Sequence, residues 1–219
     1  LGVRLRNAGV DGVLATDLAL YVTNLLRGID LSGRFVEFFG PGVSTLSAGD
    51  HAIVSDVAYG GTYRLATKIY SRFGVEFSFV DTANPDAVRK AVRANTKLIF
   101  TETPANPTLK LTDIAAISKI SRERGIVHAV DNTFLTPYYQ RPLELGANVS
   151  VHSTTKYFDG HNATVGGAVI VDSDALNEKM RFVMNATGVI MSPFVAWLTL
   201  QGTKTLSLRL ERQSANAQK

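Results

Sequence analysis

An α/β fold with a mostly parallel sheet covered by helices is predicted for this chain, and three observations carry the prediction. From about residue 50 onward, short apolar or β-branched runs recur, each too brief for a helix and apolar on both faces. Helical patterns with recognisable start and stop signals separate them, which is the repeated β-α-β order of a parallel sheet. Of 219 residues, 45% are hydrophobic and 19% charged, with no charge block or low-complexity tract, which suits a sizeable core and argues against a disordered or fibrous chain.

Taken in order, residues 1–45 have a texture of their own, with glycine at 2, 9, 12, 28, 33, 40 and 42 and no strand and helix rhythm. Gly40, Pro41 and Gly42 hint at a dinucleotide fingerprint, but the third glycine is missing and no strand precedes them, so they are read as a loop. Runs at 51–55, 76–81, 98–101, 126–131, 149–152 and 167–171 are read as strands buried on both faces. Asn84 before Pro85 is a cap followed by proline at the first helical position, which predicts a helix over 85–94. Over 112–124, Ile114, Ile117 and Ile120 share one face before Gly125 stops the helix. From 174 to 219 the pattern is helical: Ser192 and Pro193 start one helix, and the last carries Leu206, Leu208 and Leu210 beside Arg209 and Arg212. The Met and aromatic residues between Met180 and Trp197 are read as core or subunit contact.

Composition narrows the function classes. With no cysteine there is no disulfide framework, thiolate metal site or cysteine nucleophile, which fits a cytoplasmic location. The charge of +4 is mild and its Lys and Arg are scattered among Asp and Glu, so no nucleic-acid partner is expected. No apolar stretch approaches the roughly 20 residues that cross a bilayer, so no membrane partner is expected either. The four histidines, His51, His128, His152 and His161, lack metal-ligand spacing and are read as structural, with His161 nearest the lysine described next; no metal site is expected.

In a sheet of this kind ligands bind beyond the carboxyl ends of the strands, so chemistry is sought there. Asp131 ends an apolar run; it either caps the following turn or faces a bound positive group. The next strand ends in His152, Ser153, Thr154, Thr155 and Lys156. Hydroxyls at 153 and 155 suit a phosphate, and a lysine beside them is either solvated or attacks a carbonyl. Together, lysine, aspartate and hydroxyls are the parts that pyridoxal 5'-phosphate requires: an amine for its carbonyl, an acid for its ring nitrogen and a cup for its phosphate.

The stretches SDVAYGGTYRL, TETPANPTLKLTDIAAI, VDNTFLTPYYQRPLELGA and VHSTTKYFDGHNATVGGAV resemble the Cys/Met-metabolism family of pyridoxal-phosphate enzymes, which includes cystathionine γ-synthase, cystathionine lyases and methionine γ-lyase. The resemblance runs from about Ala48 to the C-terminus. It implies the large cofactor-binding domain of the aspartate-aminotransferase-like class, fold type I, over 46–200, with 201–219 a helix leading toward a further C-terminal domain. It also implies that Lys156 holds the cofactor and shuttles protons, Asp131 partners the ring nitrogen, and Ser153 and Thr155 bind the phosphate. Tyr59 would stack on the ring and act as acid or base, and Asn106 would lie near the ring's phenolic oxygen. Arg64 either reaches an anionic group or is solvated.

The expected function is therefore C–S bond cleavage of a sulfur-containing amino acid by γ-elimination, in a homo-oligomer, a dimer of dimers by resemblance. γ-Replacement on activated homoserine and methionine γ-lysis are the alternatives. Gly61, where methionine γ-lyases often carry cysteine, favours the cystathionine branch. A non-catalytic fold relative and cofactor-free lysine chemistry are the contrasting readings, and the second leaves Tyr59 and the hydroxyls unexplained. Some family parts are not matched: Ser32 and Gly33 stand near the phosphate-gripping helix start with altered spacing, and an upstream tyrosine and arginine have no counterpart in residues 1–31. With Leu1 at its start and the substrate-carboxylate arginine absent from its end, the chain is expected to be part of something longer, and to bind cofactor weakly by itself.

Overall fold

A computed structural model describes residues 46–219. Six strands form one sheet: β1 (His51–Ser55), β2 (Glu76–Val80), β3 (Thr96–Glu102), β4 (Val127–Asp131), β5 (Val149–Ser153) and β6 (Gly167–Val171), in the order β2-β1-β3-β4-β5-β6. All neighbours are parallel except β5 and β6, which run antiparallel. The antiparallel direction of β6 is not visible in its sequence pattern, because the strand is buried on both faces and so reads as the same continuous apolar run that a parallel strand gives.

Among the described residues the α-helices are α1 (Gly60–Arg64), which runs on through further helical turns over Leu65–Ile69 and Tyr70–Phe73, α2 (Pro85–Ala91), α3 (Ile114–Glu123), α4 (Thr136–Tyr139), α5 (Asp174–Thr187), α6 (Pro193–Thr203) and α7 (Leu206–Ala217). Their starts follow the sequence signals. Asn84 Oδ1 accepts the N–H groups of Asp86 and Ala87 at 3.0 and 3.3 Å, and Ser192 Oγ accepts that of Val195 at 3.3 Å, each with proline next in line. α2 ends earlier than periodicity predicts because Val92 is already extended and the Arg93 N–H goes to Thr96 Oγ1, turning the chain into β3. α3 begins two residues late, at Ile114, because Asp113 is its cap and accepts the N–H of Ala116. The short α4 was not foreseen from periodicity, which four residues cannot display.

Alternate residues of the strands feed two cores. Ala52, Val54, Leu98, Phe100, Ala129, Val149 and Val151 meet Leu65, Ala66 and Met184 on one face. Ile53 and Ile99 meet Val88 of α2 and Ile117 and Ile120 of α3 on the other. A third cluster joins Phe158, Ala168 and Ile170 to Leu206 and Leu210 of α7, while Leu208 between them points to solvent. α6 crosses this cluster so closely that a Cβ on Gly202 would lie 2.6 Å from the Phe158 carbonyl oxygen, so the segment after β5 is braced by the C-terminal helices.

Of the Met and aromatic residues between 180 and 197, Met180, Met184 and Met191 are buried, whereas Phe182, Phe194 and Trp197 are exposed, the last two stacked. Among the described residues, no helix is long and apolar enough to cross a membrane.

Candidate active site

Five parallel strands present their carboxyl ends to the same edge, and the loops leaving β1, β3, β4 and β5 enclose one cavity of about 360 Å³. Tyr59, Asn106, Asp131, Ser153, Thr155 and Lys156 all line it. The sequence-predicted residues, which span 98 positions of the chain, thus meet in one place. Arg64 and His161 do not line it, and Ser32 and Gly33 lie outside the described residues. His161 Nδ1 instead meets the backbone oxygen of Asp159.

Asp131 is the last residue of β4 and is buried. Oδ1 accepts the Thr133 N–H at 3.0 Å, so the turn-capping role is real. It does not satisfy the carboxylate, however. Burial, and then the nearby charge of Glu102, push its proton affinity up to a pKa of about 7. A cation placed in the cavity would bring it back down.

β5 ends at Ser153 and the chain turns at once through a short kinked segment, Thr154–Phe158, whose backbone leaves helical geometry at Lys156 (φ −94°, ψ −113°). It leaves Lys156 exposed at the cavity wall. Ser153 donates its N–H to Thr133 Oγ1 at 2.8 Å, which ties the ends of β4 and β5 together. The Ser153 hydroxyl itself is buried with no hydrogen-bond partner. Thr155 differs: its hydroxyl already exchanges hydrogen bonds with Gly166, at 3.3 Å to the carbonyl and 3.0 Å from the N–H.

Among the lining residues missed in the sequence, two carry polar groups that bear on the chemistry. Thr62, just after Tyr59, has a second buried hydroxyl without a partner. Glu102 ends β3 and is paired in register with Asp131. Both follow or end a strand, so the search for strand-end chemistry could have found them; they were overlooked because a hydroxyl or carboxylate alone in sequence gives no signal.

Tyr59 is half exposed and its ring lies over Gly61, where a Cβ would stand 2.9 Å from Cδ1 and closer still to Cε1. Gly61 is thus required for the ring's present place. Gly61→Ala is expected to displace the ring and weaken cofactor binding about tenfold, the effect of losing one aromatic contact of about 1.5 kcal/mol; equilibrium titration with pyridoxal phosphate checks it, and unchanged affinity would show that the ring position is irrelevant.

Three histidines are structural, as read. His51 meets Thr96 and Ser78 hydroxyls, His128 those of Thr101 and Ser118, and His152 that of Ser150, all away from the cavity. Burial drives the pKa values of His128 and His152 down to about 3, so both are neutral. No group of three or more His, Cys, Asp or Glu among the described residues could hold a metal ion.

The residues present fit pyridoxal phosphate. Of the described buried hydroxyls without a partner, two, Ser153 and Thr62, line the cavity, a cost of about 1–3 kcal/mol each that a phosphate oxygen would relieve. Among the described ion pairs none reaches the buried carboxylates Asp131 and Glu102, and the Lys156 amine lies at the wall of the same cavity. Fold and site together fit the cofactor-binding part of the fold type I pyridoxal-phosphate-dependent class. Comparison with known proteins narrows the class. The model of the Cys/Met metabolism PLP-dependent enzymes matches residues 42–219, and the chain belongs to that family.

Among its relatives are a probable cystathionine gamma-synthase of Herpetosiphon aurantiacus, 51% identical over 81% of this chain and 57% of the relative, and the cystathionine gamma-lyase of Bacillus subtilis, 46% identical over 86% and 52%. The crystal structure of cystathionine gamma-lyase from Lactobacillus plantarum complexed with L-serine superposes with a TM-score of 0.80 at 39% identity, over 90% of this chain and 52% of that one. The chain spans about half the length of the relatives it matches.

Proposed function

We propose that this chain carries the cofactor site of a C–S lyase that cleaves a sulfur-containing amino acid by γ-elimination, as in cystathionine γ-lyase. One observation carries the reading: Asp131, Lys156, Tyr59 and the partnerless Ser153 hydroxyl surround a single cavity at the ends of adjacent parallel strands. When bound, pyridoxal phosphate supplies an electron sink for negative charge at the substrate's α-carbon.

The chain's own residues do the rest. Lys156 would hold the cofactor through Nζ, and the same amine would take the substrate's α-proton and return a proton elsewhere on the substrate. Asp131 would hold a proton at the ring nitrogen. Ser153 Oγ and Thr62 Oγ1 would donate to the phosphate, and Thr155 would join them from its place beside Gly166. Tyr59 would cover one ring face and keep water from it, and Asn106 would orient the ring's phenolic edge.

Residues 46–200 would act as the cofactor domain and 201–219 would lead out of it, within a cytoplasmic homo-oligomer. The exposed stacked pair Phe194 and Trp197 supports the oligomer. γ-Replacement is the second reading, favoured by the similarity to the probable cystathionine gamma-synthase of Herpetosiphon aurantiacus.

Product analysis on the intact, cofactor-loaded protein tests both. Oxo acid and ammonia from cystathionine support γ-elimination, and cystathionine formed from an activated homoserine ester and cysteine supports replacement. Cofactor uptake without turnover of either, or of methionine, would overturn the enzyme reading in favour of a non-catalytic relative.

A further inference from the structure

We infer that Glu102 is the positioning residue of this site: its carboxylate fastens the backbones of Tyr59 and Asn106 to the end of β3 and so sets both side chains against the cofactor. The inference deepens the proposed function and rests on its assignment of Tyr59 and Asn106. Glu102 is only 6% exposed, so its carboxylate is held by protein and not by solvent.

Both oxygens are used. Oε2 accepts the Tyr59 N–H at 2.7 Å and Oε1 accepts the Asn106 N–H at 3.1 Å. The two donors sit on different loops, one leaving β1 and one leaving β3, so a single side chain clasps two walls of the cavity. Tyr59 is also the residue from which α1 starts, so holding its N–H fixes the direction in which the chain enters that helix.

Residue type matters here. Two backbone N–H groups converge on one side chain, and only a carboxylate offers two acceptors and no donor. A glutamine must turn its NH2 toward one of the amides. The ionised form also makes the stronger bond to each N–H. Burial raises the proton affinity of Glu102 and the two amides draw it back, which is the electrostatic counterpart of the same clasp.

No lysine or arginine is bonded to Glu102 among the described ion pairs. A buried carboxylate kept without a cation is costly as a mere strand-end link, and its place beside Asp131, opposite it on β4, concentrates negative charge where the ring nitrogen would lie.

The test measures pyridoxal-phosphate dissociation constants and visible circular dichroism of the bound cofactor in the intact protein, for Glu102→Ala, Glu102→Gln, Tyr59→Ala and the double variant Glu102→Ala/Tyr59→Ala. Glu102→Ala, which removes both backbone contacts, is expected to weaken binding about tenfold, the loss that follows displacement of the Tyr59 ring, and to diminish the dichroic band. Glu102→Gln, with the same shape and one acceptor kept, is expected to weaken it less. Because Glu102 works through Tyr59, the double variant should lose less than the product of the two single losses.

A multiplicative double variant, or Glu102 variants that bind within twofold of the unsubstituted protein, would overturn the inference and leave the proposed function standing. If Glu102→Ala does not fold, Glu102→Gln decides alone by the same twofold criterion. An unsubstituted protein that takes up no cofactor would overturn the proposed function, and this inference with it.

Discussion

Lys156→Ala is expected to abolish covalent attachment of pyridoxal phosphate and to lower turnover by at least about a thousandfold, while leaving the fold intact. Proton transfer by a positioned side chain contributes roughly 10²–10⁴ by itself, and this lysine is assigned two such transfers as well as attachment. Stability should hardly change. Lys156 is exposed, takes part in none of the described ion pairs, and sits in a turn held by Gly166, Thr133 and the C-terminal helices through other residues. Surface substitutions of that kind usually stay within about 0.5 kcal/mol.

Borohydride reduction followed by intact mass and peptide mapping checks the attachment, and a thermal melt checks the fold. An adduct that survives in the variant, on another lysine, would refute the assignment. A melt shifted by many degrees would instead make Lys156 a structural residue.

The fold was legible because its elements announce themselves locally. Buried parallel strands read as continuous apolar runs, and the caps at Asn84 and Ser192 are chemically unambiguous. What escaped depends on the third dimension. The antiparallel β6 satisfies the same pattern as a parallel strand would, and α2 is cut short by a hydrogen bond to Thr96 that no helical periodicity encodes.

Site residues divide in the same way. Lys156, Asp131 and the flanking hydroxyls stand close together at two strand ends and could be read as a set. Glu102 and Thr62 become informative only when β3 is laid beside β4 and the turn after β1 folds over the cavity, since their significance lies in which neighbours they have and which they lack. Thr155 shows the reverse: its spacing suggests a phosphate ligand, and the structure adds that its hydroxyl is already shared with Gly166.

Asp131→Asn should separate the electrostatics of the site from its shape, because the two side chains are nearly isosteric. In the cofactor-free protein Asp131 has a pKa of about 7, well above its ordinary value of 3.8, because burial and Glu102 disfavour the charge. The folded state therefore holds this proton more tightly than the unfolded chain does. The resulting stability is fully present below about pH 4, declines as pH rises through the folded value near 7, and is absent above it, with a slope of up to about 1.4 kcal/mol per pH unit for one proton.

His128 and His152 act in the opposite sense. Their values of about 3 lie below the ordinary 6.5, so the stability they contribute is present above 6.5 and is lost as pH falls toward 3. Both histidines remain in the variant, so the difference between the two cofactor-free melting curves isolates the carboxylate. Asp131→Asn is expected to melt above the unsubstituted protein at pH 8 and to converge with it toward pH 4.

With pyridoxal phosphate bound the order should reverse. A protonated ring nitrogen supplies the cation that Asp131 lacks, so at pH 8 the unsubstituted protein should gain more from the cofactor than the variant, and the variant should turn over at least about a hundredfold more slowly. Parallel melting curves from pH 4 to 8 would show that Asp131 serves only the turn at Thr133. Full activity in the variant would remove it from the chemistry.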